Sequence, residues 1–438
     1  MKSIFIVLSI CLSFIFALNA QSSNVIIHNY KIDALLKESE QRINVDLICT
    51  LAATEDLNSL QFLLNSETDL LSVSCRSNSE WQKISFSFNG KDSLLLTSDK
   101  KFLKDDYTEI KFNYSLPVDA LNDTILLLDR GHRWYPLIVD QIFTYTLKCT
   151  VPEKYEVLTS GNLQTVKNIN KNSVFNWNCN KPVFKLPLII FNPEVYKRSG
   201  LISSENILDF YPLTIDSVNT ENILHQADVI LSYFSKTIGR YGRDKLTYFE
   251  VSSFPGINVG SGLLTTGTQS LEMINKGSKD FLILTIAQQW FGAGVFPDFN
   301  KKGFFFFSIS LPHYLRLMYL RDSEGEEAFN NLLLTPMKRY EEFAGSGSDI
   351  PLIDVDIPNT KEKSIILYAK GPFILNKIEG EMGRDNWKSF LADLYLAFFG
   401  KIMTYEDFKN YMKKYDETGK VLILFEKLMS EKGMSERL

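Results

Sequence analysis

Histidine is scarce in this sequence: His28, His132, His225 and His313 are the four in 438 residues, and no two lie four apart. That removes the usual signature of a helical metal site, two imidazoles one turn apart on one ion. Spread so thinly, each reads as a surface or packing residue. Cysteine is scarce too, five in all and none in CxxC spacing, so a thiolate zinc site has no basis. Long runs of one charge sign are absent and the formal net charge is -5, which gives no reason to expect nucleic acid or an anionic membrane as partner. No segment beyond the N-terminus keeps the ~18 uninterrupted apolar residues of a spanning helix. The nearest, Phe304 to Leu320, is interrupted by Pro312, His313 and Arg316. A GxSxG elbow and a Walker-type loop are missing as well. Gly256 to Gly262 is glycine-rich, but no GK[ST] follows it. The carboxylate pairs Glu341–Glu342 and Asp354–Asp356 read as solvated loop charges.

What is present begins with an export signal. Lys2 gives a positive start, Ile4 to Phe16 an apolar stretch, and Ala17 to Ala20 a small-residue exit, so residues 1–20 read as a secretory signal peptide cut after Ala20. Leu18 fits the cut poorly and leaves an uncleaved anchor as the alternative. Cys11 lacks the setting of a lipoprotein anchor. The mature chain is expected outside the cytoplasm, secreted or periplasmic. It keeps Cys49, Cys75, Cys149 and Cys179, each on the apolar side of an alternating pattern. Four cysteines allow three pairings. Cys49–Cys75 with Cys149–Cys179 is the preferred one, and buried free thiols are the alternative.

Two periodicities divide the rest. From Asn24 to about Gly200 apolar residues alternate, as in Ile110, Phe112, Tyr114, Leu116 and in Phe143, Tyr145, Leu147, Cys149, Val151, and Asn89-Gly90 marks a hairpin turn. Residues 21–203 are therefore expected as an antiparallel β-sandwich or saddle. Past about residue 205 the spacing turns helical: Ile223, Ala227, Ile230, Leu231, Phe234 and Ile238 share a face. Further helices are expected over 278–292, 363–381, 386–399, 404–414 and 420–432, with a short strand at Leu246 to Val251. The fold class is α+β, with 204–438 a mainly helical domain carrying a small sheet.

Landmarks of the second half resemble the aminopeptidase N family of zinc aminopeptidases, the gluzincins. Pro255 to Thr265, PGINVGSGLLT, is similar to that family's GAMENWGLIT strand. Leu284 to Gly292, LTIAQQWFG, is similar to HELAHQWFG, and KKGFFFFSISLPHYL follows where the family has WLNEGFATY. Tyr368 to Gly371, YAKG, is similar to the YxKG segment. In the first half, the stretch from RGHRWYPL to VPEKYEVLTSGNL resembles the family's passage from Trp-x-Pro to Ser-Gly-x-Leu. The resemblance implies a thermolysin-like second domain. It also implies a chain that ends at Leu438 without the additional C-terminal module of larger relatives.

The resemblance also implies which positions carried the chemistry, and they have changed. The first zinc ligand position is Leu284, the second Gln288, the general-base position Thr285, and the third ligand, nineteen residues past Gln288, Phe307. Leucine and phenylalanine offer zinc no lone pair, and an amide is a poor ligand beside imidazole. The position that captures the substrate's free amine is Val259. Tyr368, the oxyanion-stabilising position, is retained. A packing or hydrogen-bonded role is the alternative for it. Phe307 and Leu284 are expected to fill the vacated pocket with hydrocarbon, or simply to belong to the core. No zinc, other cofactor or catalytic residue is expected. The resulting reading is a non-catalytic pseudopeptidase that binds a peptide or protein. An active peptidase with non-standard ligands and a structural component of an envelope or extracellular assembly are the alternatives.

Overall fold

The computed structural model of the chain describes residues 24–76, 80–119, 124–213, 217–252, 256–299, 301–355 and 364–434. The expected signal peptide and Asp356 lie outside them.

Alternation builds the first half. Strands β1 (Val25–Lys37), β2 (Arg42–Ala53), β3 (Leu57–Leu63), β4 (Asp69–Arg76), β5 (Gln82–Lys83), β6 (Ser85–Phe88), β7 (Ser93–Phe102), β8 (Tyr107–Pro117), β9 (Ile125–Leu128), β10 (Phe143–Pro152), β11 (Glu156–Leu158), β12 (Asn162–Ile169), β13 (Asn172–Val183) and β14 (Leu188–Phe191) follow in order. Eight of them form one sheet in the order β12-β13-β10-β1-β2-β8-β4-β5. Its pairings are antiparallel except β1 with β10. The buried residues of β8, Ile110, Phe112, Tyr114 and Leu116, face a three-stranded sheet, β3-β7-β6, where Phe62 meets Phe112 edge-on at 5.5 Å. A second small sheet, β11-β14-β9, shares this core. The Trp134-Tyr135-Pro136 segment crosses it as a buried loop. Its carbonyls are taken by tyrosine hydroxyls: Tyr114 donates to Trp134 O at 2.8 Å and Tyr30 to Pro136 O at 2.7 Å. A buried loop needs such partners, because unpaired carbonyls away from water are costly.

The two expected disulfides do not form, and strand register gives the reason. Cys49 and Cys75 both stand opposite Ile110, on either side of β8. Two strand spacings, about 9–10 Å, separate them, beyond the ~7 Å limit for bridging Cα atoms. Cys179 stands opposite Tyr145, whereas Cys149 stands opposite Phe175. Four residues of strand, about 13 Å, lie between those two. All four thiols are free, and Cys49, Cys149 and Cys179 are buried. Desolvation pushes the thiol pKa values of these three up, that of Cys149 to about 12, so they are poor nucleophiles.

The second half opens with the β15 (Ser199–Ile202) and β16 (Ile207–Tyr211) hairpin, which joins a five-stranded sheet, β15-β16-β17-β19-β18, with β17 (Leu246–Glu250), β18 (Ile257–Val259) and β19 (Leu263–Thr266). Its interior pairs β16–β17 and β17–β19 are parallel, and β18 is an antiparallel edge. Helix α1 (Ser217–Thr237) buries Ile223, Ala227, Ile230, Leu231 and Phe234, the stripe expected from spacing. The other α-helices among the described residues are α2 (Thr268–Asn275), α3 (Asp280–Ala287), α4 (Leu311–Glu324), α5 (Glu326–Gly345), α6 (Gly371–Met382), α7 (Arg384–Phe398), α8 (Tyr405–Met412) and α9 (Lys420–Ser430). Thr404 and Asp407 cap α8 reciprocally. The halves are joined through aromatic rings, Phe249 lying 4.6 Å from Tyr196 and 5.3 Å from Phe191.

Because register keeps the thiols apart, alkylation of unreduced, denatured protein should modify Cys49, Cys75, Cys149 and Cys179 completely. Peptide mass spectrometry reads this directly. A disulfide-linked peptide joining any two of them would contradict the register.

Candidate functional site

Helix α3 is apolar all round, and Phe281 through Ala287 are all buried. A helix with no polar face belongs in a core. Asp280, Leu284 and Gln288 follow one another at four-residue spacing and so share one side of it. The chain then turns through Gln289-Trp290-Phe291-Gly292, with Gly292 at φ 124°. Gln289 uses its amide at both ends. Its nitrogen donates to Gly260 O at 3.0 Å and its oxygen accepts from Gly262 N–H at 2.9 Å. This clamps the β18–β19 turn against the end of α3, while Trp290 Nε1 donates to Gly239 O at 2.9 Å.

On the shared face the expected ligand positions hold no metal donors. Leu284 is 4% exposed and packs in the core. The Thr285 hydroxyl donates back to Phe281 O at 2.9 Å and Leu282 O at 3.1 Å, so its proton is spent within its own helix. Gln288 reaches across with Nε2 to Ser308 O at 3.5 Å, and its Oε1 has no partner among the described residues. Phe307 is 2% exposed. Its ring lies 5.1 Å from those of Phe306 and Phe408 and 6.4 Å from Tyr405, so beyond its chain neighbour its aromatic contacts are with α8. Leu284 and Phe307 share one hydrophobic core, but the residue that Gln288 touches on the facing segment is Ser308. Val259 is buried in that core as well, while its neighbour Asn258 reaches the first half through Asp129, at 3.3 Å, and Lys185.

The facing segment is Phe306–Ser310, a widened π-turn that runs into α4. A second π-turn, Ile366–Lys370, runs into α6. They meet where Ser310 Oγ donates to Leu367 O at 2.8 Å. A Cβ on Gly371 would fall inside the Ser310 side chain, so this close approach requires glycine. Lys370 is fully buried; its Nζ donates to Glu431 O at 2.6 Å and pairs with Asp349 at 3.5 Å. Desolvation is the main pull on the Lys370 pKa, which lies below the usual range despite Asp349. Glycine and lysine of the YAKG segment therefore serve packing.

Tyr368 is partly exposed, and its ring meets that of His313 edge-on at 5.5 Å. His313 Nε2 faces Arg316 Nη2 at 3.5 Å, and Arg316 Nη1 pairs with Asp280 at 2.7 Å. Asp280–Arg316 and Gln288–Ser308 fix an antiparallel register between α3 and the facing helix. In that register Leu284 stands level with Pro312, beside His313. Sequence alone read His313 as a surface or packing residue and gave Arg316 and Asp280 no role. The available signal was an arginine within the apolar Phe304 to Leu320 stretch, since a buried charge implies a partner.

Zinc needs three or four nitrogen, sulfur or carboxylate donors in tight geometry. Here two expected positions are hydrocarbon, one hydroxyl is committed and one side chain is an amide. Among the described residues no three His, Cys, Asp or Glu side chains group together. This donor set does not fit zinc.

No family model matches the chain, and no curated protein matches its sequence. Solved structures match it by shape. A variant of the M1 zinc metallopeptidase from Deinococcus radiodurans matches with a TM-score of 0.73, over 94% of this chain and 96% of its own, at 14% identity. The same values hold for that variant bound to a Tyr-Ser-Ala substrate. A two-domain M1 zinc metallopeptidase variant bound to L-tryptophan gives 0.74, over 95% and 96%, again at 14% identity. The chain has the two-domain M1 metallopeptidase fold, the architecture of aminopeptidase N-like proteins. The likeness extends across both halves and stands on shape.

Gly371→Ala should destabilise the protein by about 1–3 kcal/mol, the usual cost of forcing atoms into a packed contact. Gly380→Ala, in the same helix with open space around it, should be neutral or stabilising by up to ~1 kcal/mol. Urea denaturation of the two variants checks the difference.

Proposed function

We propose that this chain is an exported, non-catalytic relative of the M1 peptidases that binds a peptide or protein partner. The observation that carries the reading is the state of the α3 face. Leu284 is hydrocarbon, the Thr285 hydroxyl is bonded into its own helix, and Gln288 spends its nitrogen on a carbonyl. Hydrolysis of a peptide by this fold's chemistry needs a metal-activated water and a base to take its proton, and neither has a residue here. Tyr368 alone could still stabilise an oxyanion, but no step would create one. Val259 likewise offers nothing to an ammonium group.

Binding is favoured over a purely architectural role because the site is not fully converted to hydrocarbon. Gln288, His313 and Arg316 keep buried polar atoms without a partner among the described residues along the α3–α4 contact, each burial carrying a cost that a ligand would offset. Neighbouring structures of this fold hold a Tyr-Ser-Ala substrate or L-tryptophan, which makes peptides and amino acids the natural class to test. The proposed export rests on residues 1–20.

Purified mature protein, dialysed against zinc and then freed of excess, should hold well under 0.1 equivalent of metal by plasma emission and leave aminoacyl-nitroanilides uncleaved. Stoichiometric zinc together with hydrolysis would overturn the reading. Amino-terminal sequencing of protein recovered from outside the cytoplasm should begin at Gln21.

A further inference from the structure

The pseudopeptidase reading leaves open what the altered cleft binds, and the inference here rests on that reading. Three buried polar side chains at the α3–α4 contact have atoms with no partner among the described residues: Gln288 Oε1, His313 Nδ1 and Arg316 Nε. The residues are 6%, 9% and 7% exposed. Atoms this deeply buried are normally paired.

Their chemistry is lopsided. A guanidinium has donors and no acceptor, so at the 3.5 Å contact Nη2 donates and His313 Nε2 accepts, which assigns the ring proton to Nδ1. Desolvation, and then the Arg316 charge, hold the His313 pKa well below its usual range, so the ring is neutral with that one proton. Nδ1–H and the Arg316 Nε–H are thus two unmet donors against one unmet acceptor. The Arg316 charge is only partly balanced: its side chain is buried, whereas its partner Asp280 is half in water, where solvent screens a carboxylate.

The site's place in the fold is set by the register. His313 stands beside Leu284, and its ring meets Tyr368, the residue at the family's oxyanion position. The positions expected to receive an ammonium group or a metal carry no acidic group, and a buried cation with an imidazole N–H lies on the facing helix.

We propose that the His313–Arg316 end of the α3–α4 contact binds a carboxylate-bearing small ligand, such as an N-blocked amino acid or a peptide C-terminus, with its oxygens meeting His313 and Arg316. A contact whose unmet donors belong to an imidazole and a guanidinium would hold a ligand by its acid end. Asp280 competes with the ligand for the guanidinium and so sets the affinity.

Isothermal titration of the mature protein with N-acetyl-L-phenylalanine and with its amide tests this. The acid should bind at least tenfold more tightly than the amide. Arg316→Lys, which keeps the charge but loses the planar fork, should reduce the preference below twofold. Because that change falls at a buried side chain, Asp280→Asn at the half-exposed partner serves as the second variant, and it should tighten acid binding several-fold. Equal binding of acid and amide, or no binding of either, overturns the proposal, as does an Asp280→Asn protein that binds the acid no better than the original. If the protein stays metal-free and inactive while showing no acid preference, this inference alone falls. Zinc uptake with hydrolysis removes the reading beneath it.

Discussion

Enclosure of α3 on every side governs what the rest of this half can be. Its residues from Phe281 to Ala287 are all buried, so each polar atom placed on it must find a protein partner or carry the cost of going without. In a metallopeptidase of this fold an ion would satisfy such atoms. Here the same position is reconciled with burial in three different ways. Leu284 has no polar atom, Thr285 turns its hydroxyl back on the preceding turn, and Gln288 finds a carbonyl on the facing π-turn. Only the Gln288 solution is incomplete, and it lies at the C-terminal end of α3, about two turns from the Asp280–Arg316 pair.

The same enclosure explains why the helices around α3 hold charged residues as pairs. Arg321 and Glu379, on α4 and α6, are 3% and 1% exposed at their side chains and meet at 2.5 Å. Tyr314 donates to Glu379 as well. A pair this deep gains little net stability, because desolvating both ions offsets their attraction, but losing one partner strands the other. It fixes the relative position of α4 and α6, and therefore of His313 and Tyr368. Arg316 differs in that its partner is half solvated.

Much of this was legible in the residues. Strands β8 and β10 could be read because a two-sided sheet segregates apolar residues onto alternate positions, and α1 because its stripe has helical spacing. A helix was expected over 278–292, and α3, Asp280–Ala287, lies within that range. The cysteines were not legible. Alternation says that Cys49 and Cys75 face inward but not that β8 comes between them, which is a property of sheet order. Nor could spacing place His313 beside Leu284, because that depends on the pairing of two helices and on a π-turn that shifts side-chain phase along one of them. The Phe307 ring shows the same effect: counting gave its position in the chain, while the widened turn directs it to α8.

Persistence of the landmarks has a physical explanation that needs no catalysis. Gln289 clamps the β18–β19 turn with both ends of its amide, Trp290 anchors to Gly239, Lys370 ties α6 to Glu431 and Asp349, and Gly371 is where two π-turns touch. Each of these would be costly to replace whether or not a metal was ever bound. The ligand positions are different in kind. An imidazole or a carboxylate in that core is tolerable only while an ion pays for its burial, and once the ion is gone hydrocarbon at the same place is more stable. Loss of donors with retention of the scaffold is then what core energetics favours, and the polar atoms that remain against that pressure, at His313 and Arg316, are where the proposed binding would have its footing.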